Sequence, residues 1–136
     1  MERSTKQVII IRKDLKMRRG KEISQGAHAS MGALLSLMSV TRYPNDSYTD
    51  RMLRSFDFGP TSQWLDNSFT KITVTVQTEA ELVDLRDKAK AASIPHALIQ
   101  DNGKTEFNGV PTYTALAIGP SWSDEIDKIT GTLPLY

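Results

Sequence analysis

The chain has 136 residues, 39% of them hydrophobic, which is enough to close one core and too short for a multidomain machine. Its 17 Lys and Arg against 16 Asp and Glu leave a net charge of +1, a total that by itself hints at no polyanionic partner. That total hides an asymmetry: residues 1–54 carry 11 basic and 5 acidic side chains, whereas residues 55–136 carry 6 and 11. The absence of Cys excludes disulfides, thiolate nucleophiles and cysteine-ligated zinc, and His28 and His96 stand too far apart for any metal-ligand spacing. No apolar run has the length of a membrane span and the first residues show no cleavable leader, so a cytoplasmic protein is expected. The sequon at Asn45-Asp46-Ser47 is accordingly read as a loop.

Val8-Ile9-Ile10-Ile11 is a β-branched run that predicts a buried strand. After a basic connection, Ile23, Ala27, Met31, Leu34 and Met38 recur at helical spacing, predicting a helix from about Lys21 to Val40 with those residues facing the core. Pro44, Asn45 and Asp46 end it, and a second helix is expected over Tyr48 to Phe56, before Gly59-Pro60. Lys71 to Val76 alternates with period two and reads as a strand. Thr78 with Glu81 forms a capping box that opens a helix running to about Ala92. Pro95 to Gln100 is a third strand, followed by the turn chemistry of Asp101-Asn102-Gly103. Thr112 to Ile118 is the fourth, expected to stop at Gly119-Pro120. Ser123, Asp124 and Glu125 read as the cap and first turn of a last helix, with Gly131 as its stop. This alternation predicts a single layered α/β/α domain over 1–136, with a four-stranded mixed sheet flanked by helices. Trp64 and Trp122 are read as packing residues, since neither lies in a basic-aromatic cluster.

Three features could carry chemistry. On the first long helix Lys21, Gln25, His28 and Gly32 fall on one stripe, which either looks onto a cleft or is an ordinary solvated face beside a small-residue seam. Arg12, Lys13, Lys16, Arg18, Arg19 and Lys21 lie within ten residues, and the last three surround a helix start whose free N–H groups favour an anion such as a phosphate. A solvated basic loop is the alternative. The third feature is Asp101-Asn102-Gly103-Lys104-Thr105 just past a strand end, where ligands commonly meet α/β sheets; it is otherwise simply a turn. Asp101 there is a candidate base or oriented acceptor, with hydroxyls from Thr105 and Thr114 as candidate donors. Phosphate-binding, dinucleotide-binding and nucleophile-elbow motifs are all missing from the sequence.

Taken together, the stretch from Lys6 to Lys21 with Met17-Arg18-Arg19-Gly20-Lys21, its continuation Gln25-Gly26-Ala27-His28, the turn at Asp101 to Thr105, and Thr114 to Pro120 resemble the second-type peptidyl-tRNA hydrolases of archaea and eukaryotes. The resemblance covers about residues 6–120 and treats 121–136 as a short C-terminal extension. It implies metal-independent hydrolysis, without a cofactor, of the ester joining a peptide or blocked aminoacyl group to tRNA. Position by position it implies active-site roles for Lys21, Asp101, Thr105 and Thr114, with Gln25 and His28 beside them. Contacts to the tRNA acceptor stem would fall to Arg12, Lys13, Lys16, Arg18, Arg19, Lys71 and Lys104. A homodimer is also implied. The family's usual turn carries arginine where this chain has Lys104, Glu106 stands where a glutamine is common, and residues 41–60 form a longer connection than the family pattern. The alternative function is a tRNA- or RNA-binding module on the same fold that does not catalyse hydrolysis.

Overall fold

The computed structural model describes residues 3–104 and 106–136. Strand β1 (Thr5–Arg12) carries the Val8–Ile11 run and lies inside a four-stranded mixed sheet, with β4 (Lys71–Val76) beside it in parallel and β6 (Thr112–Trp122) antiparallel on its other side. β5 (His96–Asp101) pairs antiparallel with β6 and completes the order β4-β1-β6-β5. β1, β4 and β5 therefore all end at the same edge of the sheet.

Both sheet faces are covered, as the continuous apolar runs require. Helices α3 (Glu79–Ala91) and α4 (Ser123–Thr130) cover one, where Leu82, Leu85 and Ile126 pack on Val8, Ile10, Val74, Val76, Leu116 and Ile118. α3 begins as the capping box predicts, with the Glu81 N–H donating to Thr78 Oγ1 at 3.0 Å. The other face belongs to α1 (Arg19–Leu35), whose Ala29 and Ala33 pack on Ala115 and Ala117.

The helix periodicity in α1 is real, but its large apolar residues do not face the core. Ile23 and Met31 are 67% and 57% exposed, while Glu22, Gln25, Gly26, Ala29 and Ala33 are buried. The reason is steric. The sheet already presents Ile9, Ile11 and Ile99 towards the helix, so only small residues let the two backbones approach; a Cβ at Gly32 would sit 3.0 Å from that of Ala97. α1 also ends at Leu35, earlier than the expected Val40.

The largest correction lies in the next segment. Instead of a helix over Tyr48 to Phe56, the chain forms an antiparallel hairpin of β2 (Met38–Tyr43) and β3 (Tyr48–Leu53). Pro44 to Ser47 make the turn, Ser47 adopts a φ of 57°, and the flanking Tyr43 and Tyr48 rings stack at 4.7 Å between centroids. A cross-strand aromatic pair beside a turn of this composition favours the ribbon over a helical turn.

Two shorter pieces were not anticipated. Helix α2 (Pro60–Gln63) runs into a π-helical turn over Trp64–Ser68, which buries Trp64 with its indole N–H on the Thr70 carbonyl at 2.8 Å. β6 does not stop at Gly119-Pro120 but continues to Trp122, because its register with β1 shifts between Lys6 and Val8 and the ladder does not need the proline's missing N–H. α4 starts with Trp122 and not Ser123 at its N-cap, and the Ser123 N–H is satisfied by the Ser4 carbonyl at 2.8 Å. The final residues lie along β4, where Thr75 N–H donates to Pro134 O at 3.0 Å and Tyr136 N–H to Thr73 O at 3.0 Å. The Tyr136 hydroxyl there donates to Glu22, a carboxylate buried under the far flank of α1.

Candidate active site

β1 delivers the chain to the edge of the sheet where β5 also ends, and α1 turns back from that edge. Its first turn thus meets the last residue of β5. Lys21 Nζ donates to Asp101 Oδ1 at 2.8 Å, with only 15% and 12% of the two side chains exposed. Asp101 Oδ2 accepts the Gly103 N–H at 2.9 Å, so both carboxylate oxygens are held. The pKa of Asp101 lies below its ordinary value, chiefly through the Lys21 hydrogen bond, which outweighs partial burial; the Gly103 N–H and the charges of Lys21 and His28 act in the same direction.

A second pair stands behind the first. One turn along α1, Gln25 is buried and its Oε1 accepts the hydroxyl of Thr114, itself fully buried on β6. The two pairs pin α1 to β5 and β6. His28 continues the stripe as an exposed side chain close enough for its charge to influence Asp101, whereas Gly32 is filled against Ala97 and forms no opening. The stripe is therefore partly a hydrogen-bonded polar cluster and partly a packing seam.

The loop after β5 is shaped by hydrogen bonds of its own. Lys104 N–H donates to Asn102 Oδ1 at 2.9 Å, and Gly109 N–H to Gly103 O at 2.9 Å. Glu106 ties the loop to the start of α1 through Arg18 Nε at 3.1 Å, a contact that sequence reasoning did not foresee. Thr105 lies outside the described residues.

Because the folded pKa of Asp101 is depressed, the native state binds fewer protons than the unfolded chain as pH falls. The resulting stabilisation is complete above the ordinary aspartate value and lost as pH drops through the depressed one. The thermal midpoint of the wild type should exceed that of Asp101→Asn at neutral pH, and the gap should close in acid; a gap independent of pH would contradict the ionised pair.

A comparison with protein families matches residues 5–136 to the peptidyl-tRNA hydrolase PTH2 family. The chain belongs to that family. Among relatives, the peptidyl-tRNA hydrolase of Halobacterium salinarum is 40% identical over 133 residues, covering 96% of this chain and 99% of the relative. That of Methanopyrus kandleri is 38% identical over 131 residues, covering 96% and 97%. The probable peptidyl-tRNA hydrolase 2 of Dictyostelium discoideum is 36% identical over 96% of this chain and 54% of its own length. A solved structure of a protein of unknown function from Agrobacterium tumefaciens strain C58 overlays with a TM-score of 0.55 at 11% identity, covering 98% of each chain, and so shares the fold.

In this PTH2 chain the basic residues separate into distinct groups. Arg12 is nearly buried, with Nε and Nη2 on Asp14 at 3.1 and 2.7 Å and Nη1 on Tyr113 O at 3.0 Å, so it fastens β1 to β6. Lys13 donates to the Tyr136 hydroxyl at 2.8 Å and lies 3.5 Å from Glu22. Its pKa is raised, first by the Tyr136 hydrogen bond. Lys16 and Arg19 are exposed near the start of α1, where the backbone N–H groups lack a side-chain cap, and Lys104 is exposed on the loop. Lys71 is not brought to this place: it begins β4, at the opposite end of the sheet, with Nζ 3.2 Å from the centroid of the Phe69 ring. A cavity of about 450 Å³ lies along the other flank of α1, walled by Ile9, Ile11, Ile23 and Tyr136; it includes neither Lys21 nor Asp101. Among the described residues no cluster of His, Asp and Glu could hold a metal ion, and no helix is long and apolar enough to cross a membrane.

Proposed function

We propose that this chain hydrolyses the ester between a peptide, or N-blocked amino acid, and the terminal ribose of tRNA, as a carboxylic ester hydrolase that needs no metal. The observation that carries this reading is the Lys21–Asp101 pair at the junction of α1 and β5. In the proposed mechanism Asp101 orients a water molecule for attack on the ester carbonyl carbon. Lys21 stabilises the negative charge that develops on the carbonyl oxygen. The tetrahedral species then collapses with cleavage of the carbon–oxygen bond to the ribose, whose oxygen takes one proton of the attacking water, while the other passes to solvent and the peptide is released as its carboxylate. Gln25 and Thr114 act as positioning residues that fix α1 against the sheet, His28 biases the electrostatics of Asp101, and Thr105 contributes a hydroxyl.

The acceptor stem is held by its phosphates at Lys16, Arg18, Arg19 and Lys104, a mode of contact that is largely independent of sequence. Arg12 and Lys13 support that surface, and Lys71 belongs to a more remote basic position. The whole chain 1–136 serves as one catalytic unit in the cytoplasm, and two copies pair through the apolar outer face of α1, where Ile23 and Met31 are exposed.

The test is release of labelled peptide from peptidyl-tRNA by the purified protein, with light scattering on the same sample reading the pairing. Multiple turnovers are expected. Tight tRNA binding with no release would overturn the reading in favour of a non-catalytic RNA-binding module.

A further inference from the structure

β2 and β3 make extensive contacts only with each other. A lone two-stranded hairpin is marginal in water, yet this one stands clear of the domain with both faces largely exposed. Its register places Val40 opposite Arg51 and Arg42 opposite Thr49, so the two arginines share a face as diagonal neighbours, roughly 7–8 Å apart. That face carries no acid, since Asp50 pairs with Thr41 and points to the other side. Among the described residues neither arginine has an ion-pair or hydrogen-bond partner. Arg3, Lys6, Arg12, Lys13, Arg18 and Lys21, by contrast, all have carboxylates within ion-pair distance. Two unpaired guanidinium groups on an exposed ribbon fit an anionic surface outside the molecule.

The position of the ribbon narrows the choice of anion. α1 leads away from the Lys21–Asp101 pair, and from Lys21 to Leu35 it rises about 20 Å. The hairpin starts there, at the end of the sheet opposite the site. At about 3 Å of duplex axis per base pair, that separation spans roughly six or seven base pairs.

Resting on the reading of this chain as acting on tRNA, we propose that the β2–β3 hairpin is a second docking surface for the same tRNA, with Arg42 and Arg51 gripping the sugar-phosphate backbone well inside the duplex. Guanidinium forks bind phosphate oxygens in pairs, and contacts of this kind carry position and not sequence. The stacked Tyr43 and Tyr48 rings hold the ribbon's turn in place. The consequence is discrimination by length: a whole tRNA reaches both surfaces, whereas a fragment of its acceptor end reaches only one.

The experiment measures binding of uncharged full-length tRNA, and of a stem-loop cut to the terminal three or so base pairs, by the full chain across a salt series. For full-length tRNA, Arg42→Gln with Arg51→Gln should weaken binding about 10-fold and lower the slope of log affinity against log salt by about 1.4–1.8, the share of two phosphates. Binding of the short stem-loop should not change, and Arg42→Lys with Arg51→Lys should keep most of the slope. An unchanged affinity and slope for full-length tRNA, or equal weakening of both ligands, would overturn the proposal. So would a change confined to self-association of the protein, which would make the ribbon a contact between copies. If the wild type shows the hairpin-dependent slope but releases no peptide, the hydrolase reading fails and the docking surface stands.

Discussion

Replacing either Lys21 or Asp101 by alanine should lower turnover of peptidyl-tRNA by about 10²–10³-fold, the usual cost of losing one preorganised charged group at a developing oxyanion. Replacing both should cost little more than the worse single change. The geometry requires this coupling. The Lys21 ammonium and the Asp101 carboxylate meet at 2.8 Å with little solvent around either, so removing one alters the position and charge environment of the other. Without Lys21 the carboxylate keeps the Gly103 N–H but loses its main stabilising contact, and its pKa should rise. Without Asp101 the ammonium loses its 2.8 Å contact at the end of β5. Residues that work as a unit are strongly non-additive when removed one at a time. Single-turnover peptide release on the two single variants and the double variant completes the cycle. Losses that multiply would mean that the two groups act independently, and near-wild-type turnover in both singles would place the chemistry elsewhere.

The elements that carry this pair were legible in the sequence because each had a strong local signal. Val8–Ile11 and Lys71–Val76 are β-branched runs, Thr78 and Glu81 cap α3, and Asp101-Asn102-Gly103 is a turn whose side chain and backbone hydrogen bonds are local. Two failures share a different cause, since tertiary contact decided them. Ile23, Ala27 and Met31 have helical spacing, but the face of a helix that turns inward depends on what it meets, and here it meets a sheet already filled by Ile9, Ile11 and Ile99. The segment from Tyr48 is too short for periodicity to separate strand from helix, and the Tyr43–Tyr48 pairing that settles it spans the turn. Glu22 carries no local signal for the same reason, because its partner Tyr136 lies at the other end of the chain.

The charge asymmetry also takes on a more specific form. Much of the positive charge in residues 1–54 is paired internally: Arg3 with Asp124 and Glu125, Lys6 with Asp127, Arg12 with Asp14 and a β6 carbonyl, Lys13 with Glu22 and Tyr136, Lys21 with Asp101. What is left facing outward falls at two places, Lys16, Arg19 and the largely exposed Arg18 near the candidate site, and Arg42, Arg51 and Arg54 on the hairpin and just past it. A cluster in sequence is thus divided by folding into structural ties and an external surface, and only the second can answer to salt.

Gly103→Ala should be damaging well beyond the loss of a small residue. Gly103 has a φ of +81°, and a Cβ there would lie 2.3 Å from the carbonyl oxygen of Val110. The backbone conformation alone costs a residue with a Cβ about 1–2 kcal/mol. The oxygen belongs to the main chain and cannot rotate aside, so the backbone at Gly103 or Val110 has to move as well, bringing the expected destabilisation to about 2–4 kcal/mol. The same displacement pulls the Gly103 N–H from Asp101 Oδ2, so turnover should fall by about 10²-fold in protein that remains folded. Gly109→Ala separates the two causes. Gly109 also has a positive φ, of +76°, but nothing lies within 4 Å of its added Cβ. It should therefore lose only the conformational 1–2 kcal/mol and keep most of its activity. Thermal midpoints and peptide release measured on both variants decide the matter: equal effects at the two glycines would mean that the Val110 contact and the Asp101 hydrogen bond play no part in holding the site.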